Sequence, residues 1–204
     1  MLKHLDEQTL NYLLDIFNAC LKLEDIPGAW KHNLIYPISK KPIFTGQLNH
    51  TRPISLIEHT RKIFTKIITN RLSNICSSYP ILNNSNFVAL PGNSTTTPIT
   101  ILSHLIEDAQ VQNKEIWMLA QDISKAYDSV HIPLLKRALL RIKVPLSLVN
   151  LITNIFTHRS NSVITNFGNT KLYQVHDGID QGETITPLLW RIYYDPLLSK
   201  ITQQ

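Results

Sequence analysis

The chain has 204 residues, is 43% hydrophobic and carries a formal charge of +5, so it is long enough to bury a core within one or two small domains rather than stay disordered. Its two cysteines, Cys20 and Cys76, lie far apart without metal-ligand spacing; neither a disulfide framework nor a zinc site is signalled, and a reducing intracellular compartment (cytoplasm or nucleus) is expected, with no secretion. No run of about 18 apolar residues occurs and the N-terminal stretch is interrupted by acids, so neither a membrane span nor a signal peptide is expected.

Taken in chain order, Leu10 to Leu23 places Leu10, Leu13, Leu14, Phe17 and Leu21 at helical spacing before Pro27-Gly28 stops the helix. Asn33 to Ser39 reads as a short strand, followed by a loop with Pro42 and Gly46. Leu56 to Cys76 reads as an amphipathic helix with Ile63, Phe64, Ile67, Ile68, Leu72 and Ile75 inward and Lys62 and Lys66 one turn apart on a polar face. From Trp30 to Leu72 eight basic residues stand against the single acid Glu58, a local charge of +7, which suits a polyanion or equally a solvated helix face. Pro91 to Ser94 is a turn, with Ser94 or a neighbouring threonine capping a helix from Ile99 to Val111. Ile116 to Gln121 is a buried-strand candidate leading into Asp122. Pro133 and Pro145 each open a helix. Ser160–Phe167 and Lys171–Val175 flank Gly168-Asn169 as a hairpin, and Pro187 starts a last helix, ended or kinked at Pro196.

The chemistry concentrates in Gln121 to Val130, QDISKAYDSV, where an apolar segment delivers Asp122 and a turn returns Asp128. A carboxylate beside the free amides of a turn can hold a divalent cation while those amides meet the phosphates it bridges. The plainer alternative makes Asp122 a helix cap and Asp128 a surface acid. A calcium-binding EF-hand is excluded, because its sixth loop position needs glycine and here it is Tyr127. Asp177, Asp180 and Glu183 read as solvated loop acids, and His131 and His176 as structural or surface residues.

The string DISKAYDSV resembles the first catalytic motif of reverse transcriptases from non-LTR, LINE-type retrotransposons, and three further blocks of that family stand in order around it. Upstream, IPGAWKHNLIYPISKKP and TRPISLIEHTRKIFTKIITNRL are similar to its fingers region, and NFVALPGNSTTTPI to the block between fingers and palm. Downstream, GIDQGETITPLLW resembles its Gln-Gly motif, with Thr186 for serine and Trp190 for phenylalanine. The resemblance runs from about Leu10 to Leu198 and implies an α+β right-hand polymerase fold, fingers plus partial palm, helix-rich with a small antiparallel sheet. It implies a division into an N-terminal helical segment (1–26), a fingers-like region (27–114) and a partial palm (115–204).

The same resemblance implies an RNA-directed DNA polymerase, a nucleotidyltransferase acting on an RNA template, a DNA primer and deoxynucleoside triphosphates, with Mg2+ and no membrane. Asp122 would be its catalytic metal ligand, helped by the carbonyl of Ile123. Tyr127 would be the aromatic gate under the incoming sugar. Lys40 and Arg52 would grip the triphosphate, one as a point charge and the other as a planar fork. Gln181 and Gly182 would contact the templating pair, and Lys62, Lys66 and Arg71 the template phosphates. Two-metal chemistry needs further carboxylates around ions about 3.5–4 Å apart. The family carries them on a Tyr/Phe-x-Asp-Asp hairpin, which the sequence does not reach before Gln204. The expectation is therefore a polymerase fragment inactive by itself, with a nucleic-acid-binding remnant as the alternative.

Overall fold

The computed structural model describes residues 4–43, 46–92 and 94–202. Helix α1, Glu7–Leu23, starts where the Asp6 carboxylate accepts the Thr9 N–H at 2.9 Å and ends at Glu24 in the left-handed region. It buries Phe17 and Cys20 and packs Leu13 inward, whereas Leu10, Leu14 and Leu21 remain exposed, a narrower stripe than the apolar spacing suggests. Helix α2, His59–Ser78, begins three residues later than its apolar pattern, because residues up to Leu56 belong to a strand and Glu58 takes the capping position. Its inward stripe is Arg61, Phe64, Thr65, Ile68, Leu72 and Cys76; Ile67 and Ile75 face outward. Phe64 stacks on Phe17 at 5.1 Å and lies 6.2 Å from Trp30, which ties α1 to α2 and to the helical turn just before the first strand.

Helices α4 (Ile132–Arg141), α5 (Leu146–Ile155) and α6 (Thr186–Ile201) supply the rest of the core through Leu135, Leu139, Ile152, Ile155, Leu189 and Ile192. Pro133 and Pro187 sit in first turns, where a missing N–H costs nothing. Pro196 does not end α6, which continues to Ile201. Helix α3, Thr96–Val111, has no buried residue; Ser94 accepts the Thr96 N–H at 3.0 Å ahead of it.

The strands are β1 (His32–Ser39), β2 (Thr51–Leu56), β3 (Arg159–Thr165), β4 (Gly168–Asn169) and β5 (Tyr173–Val175). β1 pairs antiparallel with β2 and parallel with β3, and β3 pairs antiparallel with β4 and β5. The α+β class holds, but the sheet is mixed rather than purely antiparallel. The parallel β1–β3 pair joins strands more than a hundred residues apart, a pairing that no local pattern specifies. The β3 hairpin turns one step earlier than Gly168-Asn169: Thr165 pairs with Gly168, leaving Asn166 and Phe167 as the loop. Ile116 to Gln121 does not form the expected buried strand. A strand exists only where a neighbour takes its backbone N–H and C=O groups, and no described strand lies beside this segment. Trp117 and Leu119 are consequently 88% and 92% exposed.

Candidate functional site

The β1–β2 hairpin brings Lys40 and Arg52 together. Arg52 lies directly opposite Ile38, and the Lys40 N–H donates to the His50 carbonyl at 2.8 Å, continuing the ladder by one rung. Alternation then puts Lys40, Ile38 and Arg52 on one face, the exposed one, with Leu34 and Tyr36. Lys40 Nζ donates to the Asn49 carbonyl at 3.2 Å, which holds the ammonium at the mouth of the loop. The opposite face buries Asn33, Ile35, Thr51 and Ser55. Pro37 faces Pro53 at a rung that needs no donor, since hydrogen-bonded rungs alternate with open ones.

Ser55 occupies the next open rung of that parity, so its N–H points out of the hairpin, where it donates to the Gln181 carbonyl at 2.8 Å. Gly182 follows with φ +121°, and a Cβ there would stand 2.7 Å from the Ser55 carbonyl oxygen. Only glycine permits this approach. The loop carrying Gln181 and Gly182 is thus clamped to the strand that carries Arg52, three residues away from it.

A buried ionic group holds the clamp from below. Asp180 receives the Arg61 guanidinium at 2.8 Å on one carboxylate oxygen and the Arg159 guanidinium on the other. Arg61 Nε also lies 2.8 Å from Glu183 Oε2, with its N–H directed off the oxygen, so that contact is ionic rather than an aligned hydrogen bond. Glu183 Oε1 accepts from the Thr65 hydroxyl at 2.6 Å. Arg61 further donates to the Trp30 carbonyl at 2.7 Å, and Arg159 to the carbonyls of Phe156 and Gly178. Two cations meet two carboxylates, so the group is neutral. Burial draws the Arg159 guanidinium below its ordinary range while Asp180 opposes the shift.

These residues correct the sequence reading. Asp180 and Glu183 are buried at the centre rather than solvated, and Arg61 and Lys31 are not on the surface; Lys31 pairs with Asp25 at 2.8 Å. Arg61 could have been flagged, since it sits on the same helical stripe as Phe64, Ile68 and Leu72. Asp180 could not, because its partner Arg61 lies 119 residues away.

The turn after Asp122 is docked from the same side. The Gly178 N–H donates to the Val130 carbonyl at 2.8 Å and the Ile179 N–H to the Tyr127 carbonyl at 2.9 Å. Gly178, with φ +84°, lies so close to Asp128 that a Cβ would meet its backbone at 3.0 Å. The half-buried Tyr127 ring meets Trp190 edge-on at 5.9 Å. Asp122 and Ile123 are exposed on the unpaired segment ahead of this turn, and Asp122 makes no hydrogen bond or ion pair with any described residue. A free carboxylate suits a hard cation as one ligand. Among the described residues, however, no group of three or more His, Cys, Asp or Glu side chains converges as a metal site.

Lys62 and Lys66 lie one turn apart on α2, half-buried and exposed, respectively. The exposed Arg71 is about 140° round the helix from Lys66, and it borders an apolar cavity of about 410 Å³ with Ile75, Cys76 and Lys143. The structure therefore separates Arg71 from the other two. A second cavity, about 290 Å³, lies beneath the clamp between Ile35, Pro53, Asp128, Asn161 and Gln181. Ile35 belongs to the hairpin's buried face, opposite Lys40 and Arg52, so this space is distinct from the cationic surface.

Comparison with known proteins assigns the family. Residues 38–204 match the family model described as reverse transcriptase (RNA-dependent DNA polymerase). Among curated proteins, the chain is 28% identical over 195 residues to "Probable RNA-directed DNA polymerase from transposon X-element" of Drosophila melanogaster, covering 94% of this chain and 21% of that protein. It is 26% identical over 190 residues to "RNA-directed DNA polymerase from mobile element jockey" of the same fly, covering 93% and 20%. It is also 25% identical over 192 residues to "Retrovirus-related Pol polyprotein from type-1 retrotransposable element R2" of Nasonia vitripennis, covering 92% and 18%. The chain spans about a fifth of the length of these relatives.

Proposed function

The chain belongs to the reverse transcriptase (RNA-dependent DNA polymerase) family, and from that membership we propose that it is the nucleotide-gripping front of a retrotransposon RNA-directed DNA polymerase. Members of the family use divalent metal ions, a nucleic-acid template and nucleotide substrates in general. In this reading Lys40 and Arg52 hold the triphosphate of a deoxynucleoside triphosphate, Gln181 and Gly182 meet the templating pair, and Tyr127 closes on the sugar. Lys62 and Lys66 take template-strand phosphates, with Arg71 at the far side of the helix.

One observation carries the reading: the Gln181 carbonyl accepts the Ser55 N–H at 2.8 Å, three residues along the strand from Arg52. That bond makes the phosphate-binding cations and the templating loop one rigid piece. Guanidinium and ammonium groups on a fixed strand lose little freedom when they bind phosphate oxygens. Asp122, free and exposed, would contribute one carboxylate to Mg2+, helped by the Ile123 carbonyl. When bound, that ion would neutralise charge on the phosphates. Among the described residues no further carboxylates converge beside Asp122, and one carboxylate does not make a two-metal centre, so these residues are expected to bind substrates without polymerising them. Its buried thiols, Cys20 and Cys76, suit a reducing intracellular compartment.

A second reading, nucleic-acid binding without any catalytic contribution, draws on the unpaired state of the segment before Asp122. Equilibrium binding of a labelled RNA–DNA primer-template separates the two, measured with and without Mg2+ beside a primer-extension assay. We expect salt-sensitive binding that Mg2+ strengthens in the wild type but not in Asp122→Ala, and no extension. Binding indifferent to both Mg2+ and Asp122→Ala favours the second reading; extension by this chain alone refutes the expectation of inactivity.

A further inference from the structure

Arg71 stands apart from the triphosphate grip. The sequence groups it with Lys62 and Lys66, yet the structure turns it to another side of α2, where it borders the apolar cavity of about 410 Å³. Three parts of the chain wall this cavity: Leu21 from α1, Ile68, Leu72 and Ile75 from α2, and Val144 and Leu148 from the α4–α5 turn and the helix that follows it. Ile68, Leu72 and Val144 are buried in its floor, while Leu21 and Ile75 lie at the mouth, 43% and 50% exposed.

Lys143 also borders the cavity, and its backbone singles it out. Helix α4 ends with the Lys143 N–H on the Leu140 carbonyl at 2.9 Å and the Val144 N–H on the Leu139 carbonyl at 3.2 Å, the paired bonds of a Schellman turn. Such a turn needs one residue in the left-handed region, and Lys143 takes that place at φ 61°. Glycine adopts this conformation freely, whereas a β-carbon crowds the following carbonyl oxygen. The chain therefore carries a lysine where the backbone favours glycine. Among the described residues the side chains of Lys143 and Arg71 make no hydrogen bond or ion pair with one another or with any neighbour, and no acid lines the cavity.

We propose that this cavity binds an amphipathic anion, an alkyl chain ending in a carboxylate, with the chain against the apolar walls and the carboxylate between Arg71 and Lys143. A hollow of about 410 Å³ falls within the range of small-molecule sites, roughly 300–1,000 Å³. Burying the alkyl chain takes the apolar surface of Leu21 and Ile75 out of water. The carboxylate meets a planar fork from Arg71 and a point charge from Lys143. None of these residues belongs to the Lys40–Arg52 grip, the Gln181 loop or the Asp122 segment, so the inference holds or fails independently of nucleotide binding.

Equilibrium dialysis of the whole chain against decanoate, kept below its micelle-forming concentration, tests the proposal, with decylamine as the cationic counterpart. Saturable binding of decanoate is expected, with decylamine about tenfold weaker because it forfeits the charge-assisted contacts. Lys143→Gly separates binding from folding: it relieves the left-handed conformation, so thermal unfolding should come at the same or a higher temperature while decanoate binds more weakly. Arg71→Gln, at an exposed position, should weaken binding likewise, and Ile75→Asp, which sets an acid at the mouth, should abolish it. No saturable decanoate binding by the wild type overturns the proposal. So do equal affinities for decanoate and decylamine, or decanoate affinity unaltered in both cation variants, since each reports apolar partition alone.

Discussion

Asp180 shows how much one buried side chain can decide. Its two oxygens accept from Arg61 and Arg159, which come from α2 and β3, while its own loop carries Gln181 and Gly182. Removing one partner of a buried ion pair leaves a desolvated charge behind, at a cost of roughly 3–5 kcal/mol. Asp180→Ala is therefore expected to lower the unfolding free energy obtained from denaturant titration by that amount, whereas Asp177→Ala, at an exposed neighbour, should change it little; equal effects would dismiss the network as the organising contact. Glu58 adds a pH dependence. Burial by itself would raise its carboxyl, but hydrogen bonds from the Arg61 N–H and from Thr60 outweigh that and hold it below its usual value of 4.5. A carboxyl depressed in the folded chain contributes stability above its unfolded pKa and loses it as pH falls through the folded value. Acid titration below about pH 4.5 should thus destabilise the wild type more steeply than Glu58→Gln, as followed by circular dichroism. Parallel acid limbs for the two proteins would remove the cap from the account.

At the scale of elements, helices were legible where periodicity and proline placement agreed, as for α4 and α5. They were less so where apolar residues exceeded the available contacts, as with Leu14 of α1 or Ile75 of α2, both exposed. The strand before Asp122 was misread because its apolar composition states only that it would suit a sheet; pairing depends on a neighbour that no described segment supplies. The site's cationic residues were found through resemblance in sequence, and the hairpin does bring Lys40 and Arg52 to one face. What holds them to the Gln181–Gly182 loop, the Ser55–Gln181 bond and the close approach of Gly182, follows from strand parity and long-range docking that the local sequence does not reveal. Gly182→Ala tests that clamp: φ +121° and a 2.7 Å contact force the loop off β2. Such strain is worth on the order of 1–3 kcal/mol, and amide exchange at Ser55 should quicken in step with it. Unchanged protection at Ser55 would mean that the loop is not seated there.

Across the whole molecule, one hydrophobic cluster runs from Phe17 and Trp30 through Phe64 to Ile152 and Leu189 and takes in Ile179 and Ile185, so the N-terminal helix, α2 and the loop before α6 share a single foundation. Positive charge is less concentrated than the sequence suggests, since two of the eight cations between Trp30 and Leu72 are spent on internal pairs. Those that remain exposed include Arg52 on β2 and Lys40 one rung past the end of β1. The central claim is that this hairpin and the Gln181 loop act as one triphosphate grip. Its most direct measurement is titration of the chain with a fluorescent deoxynucleoside triphosphate in Mg2+, comparing wild type, Arg52→Ala, Arg52→Lys and Lys40→Ala. Loss of a charge-assisted contact is worth about 1.5–3 kcal/mol, so the alanine variants should bind at least tenfold more weakly, with Arg52→Lys recovering part of the loss. Wild-type affinity in both alanine variants, or no triphosphate binding by the wild type, would contradict the claim.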